Sequence, residues 1–335
     1  MVKAYAAMAA EATLEPYEFE FGPLADNAVE VDVQYCGLCS SDVSMINNSW
    51  GRTTYPLVPG HEVIGTVAAV GSQVKRVAVG DQVGLGWHAD YCMECHTCMS
   101  GDHNLCASAA PTIIGRHGGF AEKVRANAAS VVKLPQGADP KTAGPLFCGG
   151  ITVFNPLLEY NVKPTDKVAV IGIGGLGHLA IKFLRAWGCE VTAFTSTDAK
   201  RAEAIEMGAV ATINSTSSAD IEAHANEFDL VLSTVGVNLD WTTILTTLRP
   251  KGRLHLVGIT VEPMAIGVMS LLRHQKAVSA SPVGSPAAIA TMLEFAAQHD
   301  IQPQIEMYPA SQINDAIERL ESGKARYRVV IDMQR

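Results

Sequence analysis

The stretch KVAVIGIGGLGHLAIKFLRAWG, residues 167–188, joins a short apolar run to a glycine-rich loop and then to an amphipathic segment. After the loop, apolar residues recur from Leu176 to Trp187 at the spacing of a helix face, and Gly188 can end that helix. GxGxxG alone is a weak signal, but between a strand and a helix it predicts a loop that binds the pyrophosphate of a dinucleotide. The loop residues are Gly172, Gly174, Gly175, Leu176 and Gly177.

Further compact β-rich runs follow this stretch, with helical patterns between them. They are EVTAF (190–194), DLVLST (229–234) and RLHLVG (253–258). Near-continuous apolar runs are typical of parallel strands that are buried on both faces. The sequence therefore predicts βαβ units around a parallel sheet, that is, a doubly wound α/β domain.

The flanking regions have a different pattern. Up to about residue 132, short alternating runs are broken by glycines, which predicts strands. The tail predicts a helix over 311–322 and a strand in RYRVVIDM (326–333). We therefore expect a β-rich region that is interrupted by the α/β domain and then resumes.

Composition limits the classes of partner. The chain has 335 residues, 48% of them hydrophobic, which is enough for two domains. A net charge of -9 without any run of Lys and Arg disfavours nucleic acid and anionic membranes as partners, and no apolar stretch has the length of a membrane span. The first sixteen residues are not typical of a signal peptide. We expect a cytoplasmic protein, in a compartment where disulfides are rare.

The strand after the glycine-rich loop indicates which dinucleotide is bound. In NAD-binding chains it usually ends in an Asp or Glu that holds the ribose 2′-hydroxyl. Here it ends in Thr195-Ser196-Thr197, followed by Lys200 and Arg201, and such hydroxyls and cations suit a 2′-phosphate. We therefore expect NADP(H), contacted by Thr195, Ser196, Lys200 and Arg201. Alternatively, the two cations are a solvated helix face and Asp198 reaches the ribose.

Four cysteines lie close together in YCMECHTCMSGDHNLC, residues 91–106. Four thiolates in one loop can surround a zinc ion completely, which is the arrangement of a structural site. An iron–sulfur cluster also takes four thiolates, and the spacing alone does not exclude one. His96 and His103 could also be ligands, but with four cysteines present we expect them to be solvated. The cysteines are Cys92, Cys95, Cys98 and Cys106.

A second set of metal-binding residue types is spread over CGLCSSD (36–42), GHE (60–62) and LFCGG (146–150). Two thiolates and one imidazole would make a zinc site with a fourth position free for substrate or water. Sequence alone does not bring such distant residues together. Cys36 and Cys39 could instead be a redox pair, although no βαβ pattern surrounds them. The residues concerned are Cys39, His61, Glu62 and Cys148.

Taken in order, these motifs resemble the zinc-dependent medium-chain alcohol dehydrogenases. They are CGLCSSD, VPGHEVIG, CxxCxxCx7C, LFCGGITV, GIGGLGHLAIKF and ARYRVVID. The cinnamyl alcohol dehydrogenase-like, NADP(H)-dependent aldehyde reductases are the most similar branch, and the similarity spans nearly the whole chain. It implies a GroES-like catalytic domain of residues 1–150 and 285–335, a Rossmann NADP-binding domain of residues 151–284, an active site in the cleft between them, and a homodimer.

The resemblance also implies two zinc ions per chain. A catalytic zinc would bind Cys39, His61 and Cys148, with Glu62 as a nearby or exchanging ligand, and a structural zinc would bind the four clustered cysteines. Ser41 would pass a proton to or from the substrate oxygen, and Asp42 would hold His61 in one tautomer. Family positions around the nicotinamide and ribose correspond to Thr152, Thr234, Val257, Gly258, Ser281 and Val283. Arg328 would pair with the pyrophosphate or with Glu62.

The implied reaction is hydride transfer between NADP(H) and a primary alcohol or aldehyde, aromatic or of medium chain length. Trp50 and Trp87 could line the pocket, and His88 could anchor a polar group there. A polyol or sugar dehydrogenase, or a non-catalytic NADPH-binding protein, are the alternatives. The chain departs from the family pattern at two positions. Ser40 stands where many relatives have His or Gly, and Ser44 stands where the family often carries a histidine that ends the proton path.

Overall fold

The computed structural model describes residues 1–260 and 262–335. The chain forms two compact units. The first contains residues 1–151 and 283–335, and the second contains residues 152–282. No helix in the described parts of the chain is both long enough and apolar enough to cross a membrane.

The strands of both units are numbered along the chain. They are β1 (Val2–Ala6), β2 (Glu15–Phe19), β3 (Ala28–Leu38), β4 (Glu62–Val70), β5 (Gln82–Leu85), β6 (His88–Asp90), β7 (Ala110–Pro111), β8 (Lys123–Asn127), β9 (Val131–Lys133), β10 (Lys167–Ile171), β11 (Glu190–Thr195), β12 (Ala211–Asn214), β13 (Phe228–Ser233), β14 (Leu248–Leu256), β15 (Ala277–Ala280), β16 (Ile305–Pro309) and β17 (Arg328–Asp332).

The helices are numbered in the same way. The α-helices are α1 (Ser40–Ile46), α2 (His96–Met99), α3 (Pro140–Ala143), α4 (Gly149–Glu159), α5 (Gly177–Trp187), α6 (Asp198–Glu206), α7 (Ser218–Glu222), α8 (Trp241–Thr246), α9 (Val268–Leu272), α10 (Pro286–Gln298) and α11 (Ile313–Glu321). Short 3-10 helices span His103–Leu105, Gly144–Phe147 and Ala310–Gln312.

The second unit is built on a parallel sheet with the strand order β12-β11-β10-β13-β14-β15. Counted from β10 as strand 1, the order is 3-2-1-4-5-6, which is the doubly wound Rossmann order. Successive strands are added on one side of β10 up to β12 and on its other side from β13 onwards. The predicted βαβ units and parallel sheet are confirmed. Two short strands, β12 and β15, were not predicted, and β14 begins five residues before the predicted RLHLVG run.

The predicted helix after the glycine-rich loop is α5. Its apolar face, including Leu179, Phe183 and Leu184, is buried. Gly188 ends the helix in the left-handed conformation, with φ of 111°, and its N–H donates to a carbonyl of the last turn. Glycine adopts this conformation without steric cost, which explains why the helix stops there.

The first unit is centred on a mainly antiparallel sheet in the order β16-β17-β3-β4-β5-β9, and β8 also pairs with β3. Its central strands β3 and β4 are antiparallel, with Gly37 opposite Glu62. Because β3 ends just before Cys39 and β4 begins just after His61, the pairing brings these two residues to one end of the sheet. The predicted β-rich region and its return in the C-terminal strand are confirmed.

Candidate active site

Cys39, His61, Glu62 and Cys148 converge in the first unit, and one donor atom from each lies within 4.8 Å of the others. The Sγ atoms of Cys39 and Cys148 are 3.9 Å apart, and His61 Nε2 is 3.3 Å from Cys148 Sγ. Cys148 follows the 3-10 helix at 144–147. A Cβ at Gly144 would lie 2.8 Å from the carbonyl oxygen of Glu62, so a glycine lets this helix approach the sheet.

These separations fit a single tetrahedral ion. Zinc binds cysteine sulfur at about 2.3 Å, so two sulfur ligands of one zinc lie roughly 3.8 Å apart. The contact with Cys148 lowers the pKa of Cys39 well below its ordinary value in spite of burial, and it raises the pKa of Cys148. The lowered pKa favours the thiolate form of Cys39, which is the form that binds a metal ion. Three such protein ligands leave a fourth position for substrate or water.

The carboxylate of Asp42 organises these ligands. Its oxygens accept hydrogen bonds from the N–H groups of Cys39 and Gly60, each at 2.9 Å, and Oδ1 lies 2.9 Å from His61 Nδ1. Burial opposes the charged form of His61, but the Asp42 carboxylate holds the pKa of the imidazole well above its ordinary value. Metal binding would displace any proton on Nε2, and because Nδ1 faces the Asp42 carboxylate, Nε2 would be the ligand atom.

Glu62 has one oxygen occupied and one free. The first accepts a hydrogen bond from Nη2 of Arg328, and both side chains are buried. The second, Oε2, is buried and has no hydrogen-bond partner among the described residues. Burial raises the pKa of Glu62, although Arg328 opposes that shift. A Cβ at Gly37 would lie 1.9 Å from Oε2, so a glycine there makes room for this oxygen.

The four cysteines of residues 91–106 also form a compact group. Their sulfur atoms lie within 4.8 Å of one another, and Cys92 Sγ is 3.9 Å from Cys98 Sγ and 3.5 Å from Cys106 Sγ. All four thiols are free. The spacing fits one tetrahedral ion better than an iron–sulfur cluster, whose thiolates bind different iron atoms. A hydrogen bond with the Thr97 hydroxyl lowers the pKa of Cys95 to about 6.

Most of the predicted cofactor residues lie at the carboxyl ends of the parallel strands. The glycine-rich loop joins β10 to α5, and a Cβ at Gly177 would lie 1.8 Å from the carbonyl oxygen of Gly172. Crevices at this edge of a doubly wound sheet bind dinucleotides. The residues at the neighbouring strand ends are Thr195, Ser196, Thr234, Val257, Gly258 and Ser281.

Three residues predicted to bind the cofactor do not lie at these strand ends. Thr152 is buried in α4. Val283 and Arg328 belong to the first unit, where the Val283 carbonyl accepts a hydrogen bond from Asn104 Nδ2 and Arg328 pairs with Glu62. Of the two partners considered for Arg328, the structure therefore provides Glu62.

The residues considered for the 2′-phosphate surround the start of α6. Thr197 caps this helix by accepting a hydrogen bond from the Lys200 N–H, and Ser196 is exposed. Arg201 Nη1 lies 3.4 Å from the carboxylate of Asp198, whose side chain is 96% exposed. A helix N-terminus with two cations favours an anion, whereas Asp198 competes for Arg201.

Aromatic rings lie next to Cys39, His61 and Cys148, which we call the open ligand group. The ring of Trp87 packs edge-on against His61 with 5.0 Å between centroids, and Trp50 lies 6.0 Å from Trp87. His88 follows Trp87 and is the first residue of β6, and its ring packs against that of Tyr91 with 5.5 Å between centroids. Burial lowers the pKa of His88 to about 4, so the ring is neutral near neutral pH.

Comparison with known proteins shows which family has this fold and these motifs. Residues 25–136 match the family model of the alcohol dehydrogenase GroES-like domain, and residues 175–298 match that of the zinc-binding dehydrogenases. Aldehyde reductase AdhA of Synechocystis sp. is 60% identical over 331 residues, which cover 99% of this chain and 98% of the relative. The chain belongs to the zinc-dependent medium-chain alcohol dehydrogenases. It is an oxidoreductase of the cinnamyl alcohol dehydrogenase-like branch, as the sequence motifs predicted.

Solved structures of this family agree with the fold. A cinnamyl alcohol dehydrogenase from Sorghum bicolor matches with a TM-score of 0.95 at 35% identity, covering 99% of this chain and 98% of that one. The enzyme of the same name from Helicobacter pylori, solved in complex with NADP(H), matches with a TM-score of 0.92 at 29% identity, covering 100% and 98%. The predicted combination of a GroES-like domain and a Rossmann domain is confirmed.

Replacing Asp42 by Asn should weaken metal binding by the open ligand group. The amide keeps the shape but loses the charge that orients His61, and loss of such a partner costs about 10–100-fold in metal affinity. Chelator competition, read by zinc retained per chain, measures this. Asp32→Asn, which alters an exposed carboxylate of β3, is the control. Equal zinc retention by Asp42→Asn and wild type would contradict the role given to Asp42.

Proposed function

We propose that this chain reduces aldehydes to primary alcohols, reversibly, with NADP(H) as coenzyme. The observation that carries the proposal is the convergence of Cys39, His61 and Cys148, with the Asp42 carboxylate behind the imidazole. Maintaining the fold does not require an open metal site, so this convergence argues against a non-catalytic role. The similar proteins, an aldehyde reductase and two cinnamyl alcohol dehydrogenases, support the substrate class.

Two zinc ions per chain fit the two ligand groups. Cys39, His61 and Cys148 would hold the catalytic ion, with Glu62 as an exchanging ligand, and the cysteines of residues 91–106 would hold the structural ion. At the open site, bound zinc supplies a Lewis acid that polarises the carbonyl oxygen of the substrate. Bound NADP(H) supplies or takes up the hydride.

The chain's own residues orient the ligands and move the proton. Asp42 keeps the proton of His61 on Nδ1. Ser41, half-buried in the first turn of α1, would donate its hydroxyl proton to the oxygen of the alcohol formed and take it back in the reverse direction. Ser44 lies three residues further along the same helix face. Since serine does not titrate near neutral pH as histidine does, we expect water to return the proton to Ser41 during reduction and to remove it during oxidation.

An aromatic or medium-chain aldehyde is the preferred substrate. Trp87 packs on His61 and Trp50 packs on Trp87, so the ligand group is bordered by large, weakly polar rings. A polyol would instead need hydrogen-bond partners for several hydroxyl groups. This contrast favours aldehydes over the sugar alcohols considered as the alternative.

NADP(H) is preferred over NAD(H) because Ser196, Lys200 and Arg201 offer one hydroxyl and two cations near the start of α6. Asp198 is the nearest carboxylate to Arg201, and it would weaken the contact with a 2′-phosphate. Residues 1–151 and 283–335 would act as the catalytic domain, and residues 152–282 as the cofactor domain.

A cytoplasmic homodimer is the form we expect. All eight cysteines are free, as the two ligand groups require and as a reducing compartment maintains. The strand β15 is at the edge of the parallel sheet, and the neighbouring α9 exposes most of the side chains of Val268, Met269 and Leu272. An unpaired edge beside an apolar helix face is suited to pairing with a second copy.

Light scattering of the purified protein should give twice the 35.6 kDa mass of one chain. Substituting Met269 by Lys should shift the molecule towards the single-chain mass, since it places a charge on the apolar face of α9. The matched control is Met307→Lys, which changes an exposed methionine of the first unit. A wild type with the mass of one chain would contradict the dimer.

Initial rates of NADPH and NADH oxidation with cinnamaldehyde test the activity and the coenzyme preference together. We expect turnover with a clear preference for NADPH. Arg201→Ala should reduce the kcat/KM ratio of NADPH to NADH by roughly tenfold through loss of one charged contact to phosphate, and Asp198→Asn should raise it. Arg185→Ala, at the far end of α5, is the control and should leave the ratio unchanged.

The outcomes separate the parts of the proposal. A preference for NADH would leave the dehydrogenase intact and contradict the 2′-phosphate residues. Absence of aldehyde turnover in zinc-replete protein that oxidises D-mannitol would favour the polyol alternative. Absence of turnover with either substrate would contradict the substrate class as a whole.

A further inference from the structure

His178 lies directly behind the glycine-rich loop and makes an unusual double contact with it. It is the second residue of α5 and is fully buried. Its backbone N–H donates to the carbonyl oxygen of Gly174 at 3.1 Å, and its Nδ1 lies 2.9 Å from the same oxygen. Because a carbonyl oxygen only accepts hydrogen bonds, Nδ1 must carry the proton and donate it. One residue thus supplies two donors to one loop carbonyl.

This contact sets the direction of the neighbouring amide. A trans peptide points its C=O and its N–H in opposite directions. Holding the Gly174 carbonyl towards α5 therefore holds the N–H of Gly175 away from the helix. Within the described chain, the N–H groups of Gly174, Gly175 and Leu176 donate to no backbone carbonyl, as expected before the first turn of a helix. They are the donors that a pyrophosphate would use.

No neighbouring atom crowds Gly174, since a Cβ added there would meet nothing within 4 Å, and a glycine backbone is conformationally permissive. Hydrogen bonds to its carbonyl therefore restrain this peptide. The start of the loop is held separately, because the Thr234 hydroxyl lies 2.9 Å from the Ile171 carbonyl oxygen and 3.0 Å from that of Gly172. Among the side-chain hydrogen bonds of the described residues, the one from His178 therefore restrains the middle of the loop.

We propose that His178 is a positioning residue for the coenzyme: its side-chain hydrogen bond to Gly174 pre-orients the loop amides that bind the pyrophosphate. This inference rests on the proposed use of the loop for NADP(H). NADPH and NADH carry the same pyrophosphate, so His178 serves both equally. That separates its role from the residues at the start of α6, which distinguish the two coenzymes.

The test is the equilibrium dissociation constant of NADPH and of NADH, measured by calorimetry in three variants of the full-length protein. His178→Leu removes the donor and puts an apolar side chain of similar size in its place. His178→Asn keeps an N–H donor near the position of Nδ1. Phe183→Leu, further along the buried face of the same helix, reproduces a packing defect without touching the loop.

We expect His178→Leu to weaken both coenzymes by the same factor, about fivefold or more, as loss of one hydrogen bond implies. The KM for NADPH should rise by a similar factor while kcat stays within about twofold. His178→Asn should remain within about twofold of wild type, and Phe183→Leu should lower the melting temperature without changing either dissociation constant.

The inference is overturned if His178→Leu binds both coenzymes as wild type does, or if His178→Asn is as weak as His178→Leu. A loss confined to NADPH also overturns it, because that would tie His178 to the 2′-phosphate. Wild-type protein that binds neither dinucleotide overturns the proposed function and this inference with it. Equal affinity of wild type for the two coenzymes overturns only the proposed 2′-phosphate residues.

Discussion

The buried carboxylate of Asp42 is the constraint on which the candidate site depends. It is fully inaccessible to solvent, and it contacts the amides of Cys39 and Gly60 and the imidazole of His61, each at 2.9 Å. Burying a carboxylate is costly unless such partners compensate for lost water. Those partners come from the start of α1 and from the turn before β4. One side chain therefore joins two chain segments that each supply a predicted metal ligand.

The C-terminal strand explains why the chain returns to the first unit after forming the parallel sheet. Strand β17 pairs with β3, and its first residue, Arg328, places a buried cation on Glu62. Without that cation, the buried carboxylate of Glu62 would have no partner for its charge, close to Asp42 and two thiols. The Cβ clash at Gly37 shows how little space this arrangement leaves. The site is therefore a balance of buried charges supplied by segments far apart in sequence.

Local signals were readable from the sequence, and contacts between distant segments were not. The strand, loop and helix of residues 167–188 were predicted because each carries its own periodicity or glycine pattern. The meeting of Cys39 with His61 depends on the register of β3 against β4, which contains irregularities that no sequence pattern indicates. Residue types alone raised the possibility of a metal site, the family resemblance grouped these particular ligands, and the role as a metal site remains a prediction.

Other residues show the same limit. The ring of His88 packs on Tyr91, a contact that the sequence did not indicate, and its role in the substrate pocket stays a prediction. His178 was overlooked, although it directly follows the last loop glycine. Within a helical pattern, a single histidine does not reveal whether its ring faces solvent or a backbone carbonyl. The strands β12 and β15 are four residues long, too short for a clear alternation.

The zinc content per chain is the sharpest test of two separate zinc sites, one of them catalytic. We would measure it by elemental mass spectrometry in zinc-replete wild type and in Cys148→Ser, alongside NADPH-dependent aldehyde reduction. We expect two zinc ions in wild type and one in Cys148→Ser, with activity lost and the fold retained. Wild type that reduces aldehydes with a single zinc, or a Cys148→Ser variant that keeps both ions and full activity, would contradict this expectation.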